Sequence, residues 1–269
     1  MEIFVCIKQV PATSQVKVDE KTGVLIRQGV ESKMNPYDLF ALETALRLRE
    51  KHGGRVTVGT MGPPQAAEII SEAYWMGADE GFLFSDRRMG GADVLATSYT
   101  LAQAVRAAGD FDLILCGKQT TDGDTAQVGP ALAEHLGIPH AAWASSVTAA
   151  ETGVTVEQQL QDVVETIWMP FPCLVTVEQD IYTPRLPSLK RRREVIDRPV
   201  RVLTLNDFSD KDAEHFGLAG SPTQVEKIFP PEHDAAKELY IGSDGAGKIL
   251  DWLSQWKFIP THSVERKDG

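Results

Sequence analysis

The chain has 269 residues, 42% hydrophobic and 24% charged, which is enough for a sizeable core and ordinary for a soluble globular protein. Its 27 basic and 38 acidic residues leave a net charge of −11, which argues against a general nucleic-acid binder, since that needs a basic face. No apolar run reaches the roughly 18 residues of a membrane span, and the start carries no basic leader or cleavage site, so a cytoplasmic protein without membrane insertion is expected.

Strand and helix signals then alternate along the chain. Ile3–Ile7 reads as a strand and Pro36–Arg49 as a helix, with Asn35 as N-cap, Pro36 at the first position and Asp38 in the first turn. Arg55–Thr60 is a strand, Pro64–Met76 a helix, Gly81–Phe84 a short strand and Ala92–Ala107 a helix. Leu113–Cys116 is a strand and Ala131–Leu136 a helix. Val154–Glu157 and Val163–Met169 read as an added strand pair, and Cys173–Val177 as a further strand. This order predicts an α/β fold, a doubly wound and mostly parallel sheet of Rossmann-like type, over residues 1–183.

Residues 184–269 read differently. Thr183-Pro184-Arg185-Leu186-Pro187-Ser188-Leu189 interrupts regular structure, and Lys190, Arg191, Arg192 and Arg193 form a positive block. An apolar tip beside positive charge suits transient protein docking by anchor and steering. Gly220-Ser221-Pro222-Thr223 and Pro230-Pro231 read as linkers. A final helix over Lys248–Trp256 carries Leu250, Trp252, Leu253 and Trp256, and this arm is too short to form a core alone. Cys6, Cys116 and Cys173 lie far apart, each in an apolar run, and read as buried structural thiols; neither they nor the six histidines have metal-ligand spacing.

The chemistry concentrates in Gly117-Lys118-Gln119-Thr120-Thr121-Asp122-Gly123-Asp124-Thr125-Ala126-Gln127-Val128-Gly129-Pro130. This polar loop leaves a buried strand and enters a helix, where open α/β sheets bind nucleotides. Gly117, Gly123 and Gly129 let backbone approach a ligand. Asp124 or Thr125 can cap the following helix, whose free N–H groups attract an anion. A helix starting at Thr125 would be kinked by Pro130, so its first turn is irregular or it starts later. No Walker lysine is present, so the loop reads as holding a nucleotide rather than cleaving one. Gly242–Lys248 resembles a P-loop but ends in Ile249 instead of Ser or Thr, and reads as a connector. Thr60–Pro63 and Gly90–Asp93 also follow strands, so several such loops can converge on one crevice.

Together these segments resemble the β subunit of electron-transfer flavoproteins, the family that includes the nitrogen-fixation FixA proteins. The motifs are Val5-Cys6-Ile7-Lys8-Gln9-Val10-Pro11, Met34-Asn35-Pro36-Tyr37-Asp38, Ala41-Leu42-Glu43, Thr60-Met61-Gly62-Pro63-Pro64, Met76-Gly77-Ala78-Asp79, Gly90-Gly91-Ala92-Asp93, Asp122–Pro130 and Gly220–Val225. The resemblance spans nearly the whole chain. Ala12 and Val94 depart from the usual Asp and Thr.

The resemblance implies a heterodimer with an α subunit that carries FAD, the C-terminal arm wrapping that partner. Asp-Gly-Asp-Thr-Ala-Gln-Val-Gly is similar to the electron-bifurcating and FixA-like branch, which holds a second FAD in the β crevice; another branch holds AMP there. By resemblance Cys6, Asn35, Pro36, Tyr37, Asp38, Met61, Gln119, Thr120, Thr121, Asp122, Gly123, Asp124, Thr125, Ala126, Gln127, Val128, Gly129 and Pro130 line the adenosine–phosphate site. Gly90, Gly91, Asp93 and Thr97 mark an approach for NADH toward the flavin. The implied acceptors are ferredoxin or flavodoxin and an acyl-CoA dehydrogenase or quinone reductase, with Leu186 and the basic tetrad at the docking surface. No catalytic side chain is expected, since a flavin carries the chemistry. Two other readings stand beside this one: a non-bifurcating carrier with structural AMP and an acyl-CoA dehydrogenase as donor, and a free-standing adenine-nucleotide-binding protein.

Overall fold

Apolar runs covered on both faces make the central strands: β1 (Glu2–Cys6), β4 (Arg55–Met61), β5 (Glu80–Phe84), β6 (Leu113–Gly117) and β10 (Cys173–Val177). The computed structural model describes residues 1–12, 31–224 and 240–259; the linker signals at Pro230–Pro231 and Val225 lie outside the described residues. Further strands are β2 (Gln9–Pro11), β3 (Ser32–Met34), β7 (His140–Ala149), β8 (Gly153–Gln159), β9 (Val164–Pro170) and β11 (Arg201–Leu203). The helices are α1 (Pro36–His52), α2 (Ala67–Met76), α3 (Val94–Ala108), α4 (Val128–Leu136), α5 (Leu189–Glu194) and α6 (Gly245–Gln255).

Nine strands form one sheet in the order β11-β5-β4-β1-β6-β10-β7-β8-β9, and β2 pairs with β3 separately. The sheet is parallel from β11 to β7, and β8 and β9 add an antiparallel pair. From β1 the chain builds outward to β4 and β5, then returns to place β6 on the other side of β1. That reversal opens a crevice at the carboxyl ends of β1 and β6. Helices α1 and α2 cover one face over Ile3, Val5, Leu42, Leu46 and Ile70, while α3 and α4 cover the other over Phe4, Phe84, Leu101, Leu132 and Leu174. The doubly wound α/β sheet read from the sequence is the observed fold.

Several local expectations change. His140–Ala149 carries no strand signal because alanine and serine dominate it; pairing to β10 and β8 makes it a strand. The helix after the glycine-rich loop starts at Val128 rather than Ala131, which places Pro130 at its third position. Proline is tolerated there because that N–H has no intrahelical acceptor. Packing continues past residue 183: β11 extends the sheet beside β5, and Leu205, Phe208 and Phe216 are buried in the second core.

The chain divides into Met1–Ile228 and Phe229–Gly269. Within the second unit, α6 starts at Gly245, ahead of the expected Lys248. The Asp244 carboxylate accepts the Gly247 N–H at 3.0 Å and caps the helix. A fixed negative side chain at that helix start disfavours a phosphate there, so the P-loop-like segment is a capped turn. Among the described residues no helix is long and apolar enough to cross a membrane.

Candidate functional site

The crevice is built by tying the loop after β6 to the start of α1. Asn35 occupies the N-cap position of α1, yet its side chain makes no cap. It is fully buried and reaches the loop instead, donating to the Gln119 carbonyl at 2.8 Å and accepting the Thr121 N–H at 3.3 Å. Gln119 donates from its amide to the Tyr37 hydroxyl at 3.3 Å and to the Asp124 carboxylate. Lys8, just beyond β1, donates to both carboxylate oxygens of Asp122 at 2.7 and 2.8 Å.

Close packing depends on two glycines. A Cβ on Gly117 would lie 2.6 Å from both an Asp38 carboxylate oxygen and the Tyr37 carbonyl carbon. A Cβ on Gly129 would lie 2.4 Å from the Thr176 methyl, so α4 can sit on β10 only without a side chain there. The loop backbone is strained as well: Asp124 and Ala126 have φ of 53° and 55°. A left-handed non-glycine residue costs roughly 1–2 kcal/mol and persists where surrounding contacts hold it.

The cap expected from Asp124 or Thr125 is absent. Gln127 is the N-cap of α4, and no side chain caps this helix. Asp124 is held left-handed with its carboxylate on Gln119, which turns it away from capping. Among the described residues, no hydrogen bond uses the backbone N–H groups of residues 125–129. The first turn of α4 thus presents unpartnered donors at the positive end of a helix, a suitable seat for phosphate oxygens.

Asp38 lies beneath the crevice. Its carboxylate accepts the Lys8 N–H at 2.7 Å. Burial pushes its pKa up to about 7, against hydrogen bonds from Asn35, Lys8 and Gly117 that lower it. A carboxyl partly neutral near pH 7 repels an incoming phosphate less than a full carboxylate does.

The other expected positions are distributed as follows. Cys6 and Met61 are partly exposed at strand ends beside the crevice. Pro36 occupies the first position of α1, and Thr120 accepts the Asp124 N–H at 3.0 Å to turn the loop around Gly123. Gly90, Gly91, Asp93 and Thr97 lie at the start of α3. Asp93 caps that helix through Ala96 at 3.1 Å and also receives Thr223 through its hydroxyl at 2.7 Å. Its backbone N–H donates to the Ser221 hydroxyl at 2.9 Å, so Asp93 holds Ser221 through its backbone and Thr223 through its carboxylate.

The docking segment is pinned on both sides of its tip. Arg185 binds the buried Glu43 carboxylate at 2.8 Å and also pairs with Glu50. Burial raises the Glu43 pKa, but the Arg185 and Arg47 hydrogen bonds outweigh it and hold the group below its usual value. Beyond the tip, the Ser188 N–H donates to the Trp75 carbonyl at 3.0 Å, and its hydroxyl caps α5. Between these anchors Leu186 is 86% exposed, and Leu189 follows at 76%. The basic tetrad is not uniformly free: Arg192 stacks on α2, its guanidinium lying 4.6 Å from the Trp75 ring centroid. A cavity of about 460 Å³ lies here, lined by Lys33, Glu68, Glu72, Trp75, Leu189 and Arg192 among others.

Sequence reasoning missed Lys8 and Arg185 as organisers of these two loops. The signal for Lys8 was a lone cation immediately after a buried strand; Arg185 is distinguished only by its long-range partners.

Comparison with known proteins identifies the family. The electron transfer flavoprotein domain family matches residues 22–203. The electron transfer flavoprotein subunit beta of Megasphaera elsdenii is 42% identical, over 95% of this chain and 97% of the relative. The Caffeyl-CoA reductase-Etf complex subunit CarD of Acetobacterium woodii is 40% identical, over 96% and 100%. Protein FixA of Azorhizobium caulinodans is 42% identical, over 90% and 88%. With that extent of similarity across the whole sheet and its loops, the chain belongs to the electron transfer flavoprotein family, among the β subunits.

Proposed function

We propose that the chain is the β subunit of a heterodimeric electron-transfer flavoprotein whose crevice holds the ADP portion of an FAD. The observation that carries this reading is the uncapped start of α4, with unpartnered N–H groups on residues 125–129, held in place by Asn35 and Lys8. The chemistry of the donor set fits a diphosphate: backbone N–H groups and a helix terminus, with Asp38 partly neutral beneath. When bound, the flavin supplies the redox chemistry. The residues of this chain bind, orient and enclose it.

The resemblance of the loop Asp122–Gly129 to the bifurcating and FixA-like branch favours FAD over AMP, and NADH as donor with two acceptors in a bifurcating arrangement. In this reading Gly90, Gly91, Asp93 and Thr97 border the donor's approach. Leu186 seats in an acyl-CoA dehydrogenase or quinone reductase, and the basic tetrad steers the encounter. Ferredoxin or flavodoxin takes the other electron. The alternative of AMP as a structural filler rests on the same phosphate seat.

The test is to purify the complex with its α partner and identify the nucleotides released on denaturation. A second FAD beyond that of the α partner is expected. AMP in its place supports the alternative, and absence of any adenine nucleotide from the β crevice overturns both.

A further inference from the structure

Cys6 and Cys116 are far apart in sequence but directly paired in register on the adjacent parallel strands β1 and β6. Residues paired this way point to the same face, and here that face is the one carrying Phe4 and Ile114. The pair belongs to a row across the carboxyl edge of the sheet: Gly59, Cys6, Cys116 and Thr176. Gly59 offers no side chain, and Gly129 of α4 approaches Cys116 and Thr176 from above. The two thiols therefore lie at the strand reversal, below the start of α4.

Neighbouring strands are about 4.8 Å apart, inside the range of about 4.4–6.8 Å that a disulfide spans between Cα atoms. Exposure divides the pair: Cys6 is partly open to the crevice, whereas Cys116 is 7% exposed. The Cys116 pKa is raised well above its ordinary value, first by its hydrogen bond with Cys6 and then by burial. Cys173 is fully buried toward the opposite end of β10, paired with Leu113, and serves as an internal comparison.

We propose that Cys6 and Cys116 form a reactive dithiol that a peroxide closes to a cross-strand disulfide. Cys6, as thiolate, attacks a peroxide oxygen; the O–O bond breaks and hydroxide leaves, taking a proton to become water. The Cys116 sulfur then attacks the sulfenic sulfur of Cys6. The S–S bond forms, the S–O bond breaks, and the second oxygen leaves as water with the Cys116 proton. Two thiols lose two electrons and two protons, and hydrogen peroxide is reduced to two waters. Cys6 is the attacking residue because it is the one peroxide reaches from the crevice. Cys116 resolves it because register places it alongside.

The experiment titrates the complex with its α partner, after the nucleotide of the β crevice has been stripped, with hydrogen peroxide, blocks remaining thiols in denaturant and maps the peptides by mass spectrometry. A Cys6–Cys116 linkage reversed by dithiothreitol is expected, with Cys173 recovered as a free thiol. Recovery of Cys6 and Cys116 as separate thiols, or direct passage of Cys6 to sulfinic acid, overturns the proposal. The wild-type result needs no variant, but Cys116→Ser adds a second readout: Cys6 sulfenic acid accumulates and is trapped by dimedone. A further arm adds AMP and rests on the nucleotide reading of the crevice. At about 100 times its Kd, AMP leaves about one site in a hundred free, so linkage slows roughly 100-fold. Linkage at an unchanged rate would remove Cys6 from the nucleotide site while leaving the dithiol standing.

Discussion

Two loops of this molecule are fastened to the same helix and left with opposite things exposed. The loop after β6 is tied to the start of α1 by Asn35 and Tyr37, and its inner surface offers backbone N–H groups. The docking segment is tied farther along α1 by Arg185 on Glu43 and Glu50, and it offers the Leu186 side chain. Fixed backbone donors suit a small anion, because they need no reorganisation when it arrives. A pinned apolar side chain suits a protein surface, where one anchor can carry much of the binding energy. The contrast predicts separable failures: damage to the first loop costs stability and nucleotide, and damage to the second costs only transfer to a partner.

The largest effect is expected at Gly117. In Gly117→Val the new side chain meets the backbone of Tyr37 and the Asp38 carboxylate, neither of which can move without shifting α1. The cost should reach the upper end of the roughly 1–3 kcal/mol typical of overpacking, with loss of bound nucleotide. Urea unfolding and nucleotide content after dialysis measure both. A variant with wild-type midpoint and full nucleotide would show that α1 and the loop are not locked together. Asn35→Ala is the milder version: it leaves the Gln119 carbonyl and Thr121 N–H without their buried partner, worth roughly 1–3 kcal/mol. Its nucleotide affinity should fall about tenfold or more by calorimetry; unchanged affinity would make the clamp dispensable.

Asp38 gives this region a pH signature. Its folded pKa of about 7 lies above the ordinary 3.8, so the folded state holds a proton that the unfolded state has released. This group's contribution is fully present below the unfolded value and is lost as pH rises toward 7. Stability should therefore decline across that window, and Asp38→Asn should remove that part of the decline. Urea midpoints between pH 4 and 7, roughly the span of the two values, read it directly. Equal slopes in the two proteins would mean that another group carries the effect.

Much of the sheet and the position of the crevice were legible because buried parallel strands read as apolar runs, and Gly117, Gly123 and Gly129 punctuate the polar loop that follows one. What escaped was set by distance. Asn35 reads locally as an N-cap, but its partners lie 84 and 86 positions away and become neighbours only when β6 settles beside β1. Asp124 reads as a cap because it precedes a helix; its left-handed backbone and its bond to Gln119 reverse that. Cys6 and Cys116 look isolated until register pairs them. His140–Ala149 is a strand because its neighbours supply partners, not because its residues prefer one.

On the docking side, Leu186→Ala should leave the unfolding midpoint and nucleotide content unchanged, since the side chain is already 86% exposed. Removing an anchor costs about 1–2 kcal/mol or more at an interface, so transfer to the protein acceptor should slow roughly tenfold. Stopped-flow measurement with saturating donor separates this from flavin reduction. Arg185→Ala should produce the same slowing with Leu186 still present, because the segment then loses its attachment to Glu43 and Glu50. If Arg185→Ala transfers electrons normally, presentation of the leucine does not depend on pinning, and the parallel between the two loops fails.

The smallest effect belongs to the basic tetrad, and the structure divides it. Arg192 stacks on Trp75, and the Arg191 side chain lies beside Gly77, so both help seat α5 on α2. Lys190 is strongly exposed and only 3.9 Å from Glu194, a contact that contributes little at a surface. Neutralising Lys190 and Arg193 should therefore change only long-range attraction: a few-fold lower association rate, flattened with rising salt as charges are screened over about 8–10 Å. Neutralising Arg192 should lower the rate and also loosen α5, visible as faster amide exchange in residues 189–194. Identical salt slopes in wild type and the Lys190/Arg193 double variant would mean that the partner meets this segment through its apolar tip alone, with charge playing no part in the encounter.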